Sequence, residues 1–275
     1  MDKKVRLFTC GAGNMASALL APMAPLVEQF TAYTPSGRSA KSLASSFEQG
    51  MGTDDLSSVE GPFDFIFLGF KPQQFSHAAK ELAQRTHLFH QDTVVVSMLA
   101  GTSIDLIKKT FNTTNVVRIM PNTPSLVGSG VTLLCPSAEL KGKESLLESL
   151  EGLLSKAGLV HNCRDENELD MITSVTGSGP AYVFEWGRVL SHFLQKQGVS
   201  EDNSDMLVKQ LFFGSSKLMV ESDDSLEELR NKVTSKNGVT FAALEKFKEK
   251  DLENCIVSGL NANIARSEEL KRSNK

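Results

Sequence analysis

Cysteine is scarce in this 275-residue sequence: there are four, Cys10, Cys135, Cys163 and Cys255, and no two form a C-x-x-C pair. Metal and disulfide readings both fall, and a reducing, cytoplasmic setting is the simplest expectation. A basic excess is missing too. The chain has 29 Lys and Arg against 33 Asp and Glu, a net charge of −4, whereas a general nucleic-acid binder would show the opposite balance. No apolar run approaches the ~18 residues that cross a bilayer, so no membrane partner is expected. After Met1-Asp2-Lys3-Lys4 the apolar stretch Val5 to Phe8 is too short for a secretory signal. The sequence contains neither G-x-x-x-x-G-K-[ST] nor H-E-x-x-H, which removes a Walker-type phosphate grip and a helical zinc site. The five histidines, His77, His87, His90, His161 and His192, make no metal-like pair. With no evident acid–base histidine among them, a dehydrogenase that depends on one is disfavoured.

What is present is an ordinary globular composition, 40 % hydrophobic and 23 % charged. At roughly 150 residues per domain the length suggests two domains. From Lys4 to about Cys163, short β-like runs alternate with amphipathic stretches. Strands are expected at Val5–Cys10, Phe30–Thr34, Phe63–Phe70, Thr93–Ser97, Val116–Met120, Val131–Cys135 and Leu159–His161. Helices are expected at Met15–Glu28, Ser39–Gln49, Gln73–Thr86, Ser103–Phe111 and Lys143–Lys156. Such alternation reads as a parallel sheet with helices on both faces. Beyond the polar break Arg164–Glu168 only helical periods remain. Pro180 opens a helix at a favoured first-turn position, and Tyr182, Trp186, Val189 and Phe193 follow on one face. So broad an apolar stripe suggests burial on several sides, including against a second subunit. Further helices are expected at Ser204–Val220, Ser225–Val233, Phe241–Lys248 and Leu252–Leu270, with a frayed tail from Lys271. The fold class expected is α/β, an N-terminal Rossmann-type doubly wound parallel sheet (1–163) followed by an all-α domain (164–275).

Gly11-Ala12-Gly13-Asn14-Met15-Ala16 is a G-x-G-x-x-A sequence between the first strand and the first helix. Gly11 permits the tight turn, Gly13 lets the backbone approach a pyrophosphate, and Ala16 allows close helix–strand packing. The helix start offers free N–H groups to the phosphates. An NAD site usually carries Asp or Glu about 20 residues on. Here no acidic residue lies between Glu28 and Glu48, and the second strand runs into Pro35-Ser36-Gly37-Arg38. Ser36 and Arg38 suit a 2′-phosphate, so NADPH is the expected cofactor and NADH the weaker one. Phe70, Lys71 and Pro72 end another strand at the carboxyl side of the sheet, where Lys71 could meet a phosphate, ribose or substrate, or simply make a turn. Asn122, in the rigid turn Met120-Pro121-Asn122-Thr123-Pro124, could orient nicotinamide or substrate, or serve the turn alone. In the second half, Thr176-Gly177-Ser178-Gly179-Pro180 and Thr234-Ser235-Lys236-Asn237-Gly238-Val239-Thr240 each lead into a helix. Their amides could hold a small carboxylate.

With those segments in hand the sequence closely resembles the pyrroline-5-carboxylate reductase family over almost its whole length. The resemblance rests on GAGNMA at 11–16, FKPQ at 70–73, VVSMLAG at 95–101, RIMPNTP at 118–124 and ELDMITSVTGSGPAY at 168–182. It continues in QLFFGSSKLM at 210–219, VTSKNGVT at 233–240 and ARSEEL at 265–270. It implies reduction of 1-pyrroline-5-carboxylate to L-proline with NAD(P)H, the last step of proline synthesis. It also implies a helical domain that dimerises, with a higher assembly of dimers left open, and a substrate held between the nicotinamide and a loop contributed across the subunit interface. On this resemblance Ser178, Gly179, Gly238, Val239 and Thr240 bind substrate, and Thr240 is the catalytic hydroxyl near the imine nitrogen. Lys236 and Asn237 depart from the family's usual TSPGGTT, yet Asn tolerates a left-handed backbone, so the turn is expected to survive. The altered loop also keeps two alternatives open: an imine reductase for a related cyclic imino acid, and an NADPH-binding regulatory protein without activity.

Overall fold

The computed structural model describes residues 5–273, with side chains through Glu269; the first four residues and the last two lie outside the described residues. The chain divides into two compact units, one reaching to Ser178 and taking in the residues from Ile264 onward, the other Gly179–Asn263.

The first unit is built on eight strands: β1 (Val5–Cys10), β2 (Val27–Tyr33), β3 (Gly50–Thr53), β4 (Phe65–Leu68), β5 (Val94–Ser97), β6 (Val116–Met120), β7 (Gly130–Pro136) and β8 (Gly158–Asn162). They lie in the order β3-β2-β1-β4-β5-β6-β7-β8. Helices α1 (Asn14–Leu20), α2 (Arg38–Ala44), α3 (Phe75–Ala83), α4 (Ile104–Phe111) and α5 (Glu144–Leu154) connect them, and α6 (Glu166–Thr176) follows the last strand. The central strands read as near-continuous apolar runs because helices cover both faces; Phe65, Ile66, Phe67 and Leu68 are all buried. One core cluster gathers Leu7, Leu19, Phe30, Phe67 and Val96 on one side of the sheet. Another gathers Phe8, Phe63, Ile66, Leu82 and Ile107 on the other. Chain order reverses direction between β1 and β4, so their carboxyl ends frame a crevice of the kind that binds ligands in open α/β sheets.

Three expectations need correction. The first helix ends at Leu20 rather than Glu28, because Pro22 and Pro25 shift the chain into a 3-10 stretch, Ala21–Leu26, before β2 begins at Val27. The helix expected to reach Gln49 stops at Ala44, and the glycine-rich segment after it forms the edge strand β3. The sheet is parallel except at β7, which pairs antiparallel with β6. The connection is short, carrying only a 3-10 turn (Thr123–Val127) and no crossover helix, so the strand must return alongside its predecessor.

The second unit is helical: α7 (Gly179–Lys196), α8 (Glu201–Glu221), α9 (Leu226–Lys232), α10 (Val239–Glu249) and the first part of α11 (Leu252–Ser273). Helix α11 runs to Ser273; the end of the tail expected to fray, Asn274 and Lys275, lies outside the described residues. Between Gly179 and Asn263 only Ser191, Ser204 and Val208 are buried. The apolar positions that define the expected stripe, Trp186, Val189 and Phe193 among them, stand exposed.

Candidate active site

The G-x-G-x-x-A segment sits at the carboxyl ends of β1 and β4. Gly11 has φ +102°, a left-handed backbone that a side chain adopts only with strain. A Cβ there would come within 2.4 Å of the backbone at Gly69 and Phe70. The loop is held by hydrogen bonds from Gly11 N–H to the Tyr33 carbonyl (2.8 Å) and from Gly69 N–H to the Cys10 carbonyl (2.8 Å). Gly13 is the contrasting case. It caps α1 with no side-chain hydrogen bond, and nothing lies within 4 Å of the place where its Cβ would stand. The space beside Gly13 is therefore open at the start of α1, where unpaired first-turn amides suit an anionic pyrophosphate. Ala16 is buried, and a Cβ on Gly69 would stand 3.0 Å from the Ala16 methyl. Gly69 is a site residue that sequence reasoning missed; a glycine ending a buried strand was its signal. Burial, with the charge of Glu81 adding to it, pushes the Cys10 thiol beneath this loop up to about 12, so it stays protonated.

After β2, Gly37 N–H donates to the Thr34 carbonyl at 2.9 Å and closes a tight turn. Ser36 and Arg38 are exposed on that turn. Among the described residues no hydrogen bond or ion pair occupies the Arg38 guanidinium. Phe70, Lys71 and Pro72 follow β4, with Lys71 exposed and its N–H bonded to Gln74 Oε1 at 3.2 Å. Asn122 behaves differently from an open ligand contact. Its side chain is buried; Nδ2 donates to the Thr176 carbonyl at 2.9 Å, and Oδ1 accepts from Val131 N–H at 2.8 Å. It ties the end of β6 to the start of β7 and to the end of α6, so the side chain serves the turn.

The Thr176–Gly179 segment turns out of α6 through Gly177 and Ser178, whose N–H groups both donate to the Thr173 carbonyl, at 2.9 and 3.3 Å. Gly179 then begins α7. In the helical unit, Gly238 caps α10 in extended conformation, with Val239 and Thr240 as the first two helical residues, both exposed. Gly238 N–H donates to the Ser235 carbonyl at 3.0 Å. Asn237 takes φ +59°, so the departure from the usual glycine keeps the left-handed turn. Gly11–Ala16, Ser36, Arg38, Phe70–Pro72, Asn122 and Ser178 thus belong to the first unit, and Gly179 with Gly238–Thr240 to the second. Among the described residues no group of three or more His, Cys, Asp or Glu side chains could hold a metal ion.

A second missed feature lies beside Asn122. Arg118, inside the apolar strand β6, is almost fully buried and forms ion pairs with Glu166 (2.5 Å) and Asp170 (3.1 Å) of α6. A lone arginine within a hydrophobic run was the available signal.

The chain is similar to known families, proteins and solved structures over nearly its whole length. Residues 166–270 match the family model described as pyrroline-5-carboxylate reductase dimerisation, and residues 7–101 match one described as NADP oxidoreductase coenzyme F420-dependent. Pyrroline-5-carboxylate reductase of Staphylococcus haemolyticus is 30 % identical over 279 residues, covering 98 % of this chain and 99 % of that protein. The enzyme of the same name from Pseudomonas aeruginosa is 30 % identical over 269 residues, 96 % of each chain. A solved pyrroline-5-carboxylate reductase from Coxiella burnetii superposes with a TM-score of 0.86 at 26 % identity, covering 98 % of this chain and 99 % of that one.

Proposed function

The chain belongs to the pyrroline-5-carboxylate reductase family, NAD(P)H-dependent oxidoreductases that reduce 1-pyrroline-5-carboxylate to L-proline, and from that premise we propose how its own residues divide the work. The cofactor function falls to residues 1–163 and the dimerisation and substrate function to 164–275. As compact units the division comes later than that expectation, after Ser178, because α6 packs with the sheet and the residues from Ile264 onward return to it. The observation that carries the cofactor half is the pairing of Gly11, locked against β4, with Gly13, whose backbone stands open at the start of α1. That cradle fits a dinucleotide pyrophosphate. Arg38 and Ser36 take the 2′-phosphate, which makes NADPH the preferred cofactor and NADH the weaker one. Phe70, Lys71 and Pro72 border the ribose and nicotinamide side of the crevice. Asn122 acts one step removed, by holding the Thr176 carbonyl.

Bound NADPH supplies a hydride from C4 of its nicotinamide. The protein's part is to bring a cyclic imine into line with it, in its protonated and already electrophilic form. Alignment of this kind is worth ~7–11 kcal/mol, enough that no strong base is required. Ser178 and the Gly179 amide, with the amides of Gly238 and Val239, hold the substrate carboxylate. The Thr240 hydroxyl stands near the imine nitrogen and steadies its proton.

The chain works as a homodimer, with Gly238–Thr240 of one protomer completing the substrate site of its partner. Support comes from the helical unit, which leaves Phe184, Phe213 and Val220 more than 60 % exposed. A groove of about 430 Å³ there is lined by Tyr182, Val183, Trp186, Phe212, Ile256 and Leu260. The testing experiment follows NADPH oxidation with five- and six-membered cyclic imino acids. Faster turnover of the five-membered ring is the expected outcome; preference for the larger ring would reassign the substrate, and cofactor binding without any turnover would remove the activity.

A further inference from the structure

The turn that presents Ser178 is held at a distance by a charged clasp that the reaction itself does not use. Arg118 lies in β6, in the interior of the sheet, with only 2 % of its side chain exposed. Both of its terminal nitrogens point at α6: Nη1 to Glu166 Oε1 at 2.5 Å and Nη2 to Asp170 Oδ1 at 3.1 Å. The same Glu166 oxygen also accepts the Ile104 N–H at 3.1 Å, so the first residue of α4 is fastened to the same point. Asp165, the cap of α6, accepts from the Asn167 and Glu168 amides, which fixes where the helix begins. Leu169, one face over, is fully buried among the apolar side chains of the β6 side of the sheet.

The other end of α6 is fastened by the strand's own continuation. Asn122, four residues after Arg118, binds the Thr176 carbonyl. Strand β6 and the turn after it therefore grip a helix of 11 residues in its first half and at its last residue. A stretch of backbone held at both ends cannot slide or rotate on its axis. The turn that leaves it, Gly177–Ser178, inherits its position from the two grips. An apolar contact would hold α6 down as well, but it tolerates small shifts; two directed, charge-assisted bonds from one planar guanidinium do not. The interior location of Arg118 argues for that reading, because a buried arginine is retained against a substantial desolvation cost and does not strengthen the fold over an apolar side chain by itself.

We infer that Arg118, through Glu166 and Asp170, is a positioning residue that sets the height of the Ser178 turn and so the fit of the substrate carboxylate. The inference rests on the proposed role of Ser178 and Gly179. Its consequence is a selective one: loosening the clasp displaces the carboxylate site while the dinucleotide cradle, built from β1, β4 and α1, stays as it is.

Arg118→Lys keeps the charge but loses the fork, and Asp170→Asn keeps shape and one acceptor. Steady-state kinetics should show KM for the cyclic imine raised at least tenfold in Arg118→Lys and several-fold in Asp170→Asn. KM for NADPH should stay within twofold; the Tm should fall in both variants because each weakens a buried ion pair, so the split between the two KM values carries the test. Amide hydrogen exchange on the same proteins reads the position directly and does not depend on catalysis: Thr176–Ser178 should lose protection while β1 and β4 keep theirs. If the imine and NADPH constants rise together, or if α6 and the sheet lose protection alike, Arg118 is merely structural and the inference is overturned. Unchanged imine KM and unchanged exchange at 176–178 would overturn it as well. Loss of protection at the turn with an unaltered imine KM would leave the clasp standing and instead remove Ser178 from the substrate site.

Discussion

At the scale of single residues the strongest commitment is Gly11. Its positive φ and the 2.4 Å approach of the Gly69 and Phe70 backbone leave no place for even a methyl group. Gly11→Ala should therefore force the loop away from β4 and lower NADPH affinity by more than about tenfold, measured by fluorescence titration, with the helical unit's circular dichroism preserved. Arg38 makes a different kind of commitment, since its guanidinium is exposed and unoccupied among the described residues. A charge-assisted hydrogen bond contributes ~1.5–3 kcal/mol, so Arg38→Asp should raise KM for NADPH about 10- to 100-fold and leave KM for NADH within about threefold. Equal losses for both cofactors would remove Ser36 and Arg38 from the 2′-phosphate site. Gly11 was legible in the sequence because a tight turn packed against a backbone demands glycine. Asn122 was not legible in the same way. A buried amide serves a ligand or a turn equally well, and its bonds to Val131 and Thr176 are not visible in the sequence.

At the scale of elements the turn before α10 is where Lys236 and Asn237 stand. Asn237 adopts φ +59°, where Asn is tolerated and a β-branched residue costs ~1–2 kcal/mol or more. Asn237→Gly should therefore leave the imine KM within about threefold, while Asn237→Val should raise it well beyond that by unfolding the turn that presents Gly238–Thr240. Similar effects from both variants would mean that the turn's conformation does not matter to binding. Thr240 itself carries a sharper expectation. Thr240→Ala should lower kcat by ~10- to 100-fold, below the ~10²–10³ typical of preorganised oxyanion donors because a neutral hydroxyl is weaker, with KM for NADPH unmoved. Element types followed from periodicity, and β1 and β6 sit where the pattern puts them. The failures were local. Pro22 and Pro25 ended α1 early. The edge strand β3 gave no β-branched signal because it must be glycine-rich: a Cβ at Gly50 or Gly52 would run into the backbone of α2. The reversal at β7 depended on a short connection that alternation alone does not reveal.

At the scale of the whole molecule, the helical unit is unfinished as a single chain. Three buried residues between Gly179 and Asn263 do not make a core, and contiguous apolar surface of this extent is rare on monomers. Light scattering at low micromolar concentration should give the mass of a dimer, with an interface of roughly 2,000 Å² or more; a monomer mass would sink the proposed assembly. The sharper question is whether the two copies share their active sites. Suppose a Gly11→Ala chain, unable to hold NADPH, is mixed one to one with a Thr240→Asp chain, whose added carboxylate repels the substrate's. Each homodimer should be nearly inactive. If each substrate site is completed across the two-fold axis, a mixed dimer puts both defects in one site and leaves the other intact. Random exchange makes half of the dimers mixed, so roughly a quarter of wild-type activity should return. If instead each chain builds its own site, every site in the mixture carries one defect, and activity stays at the homodimer level even after mass spectrometry has established that the subunits exchanged.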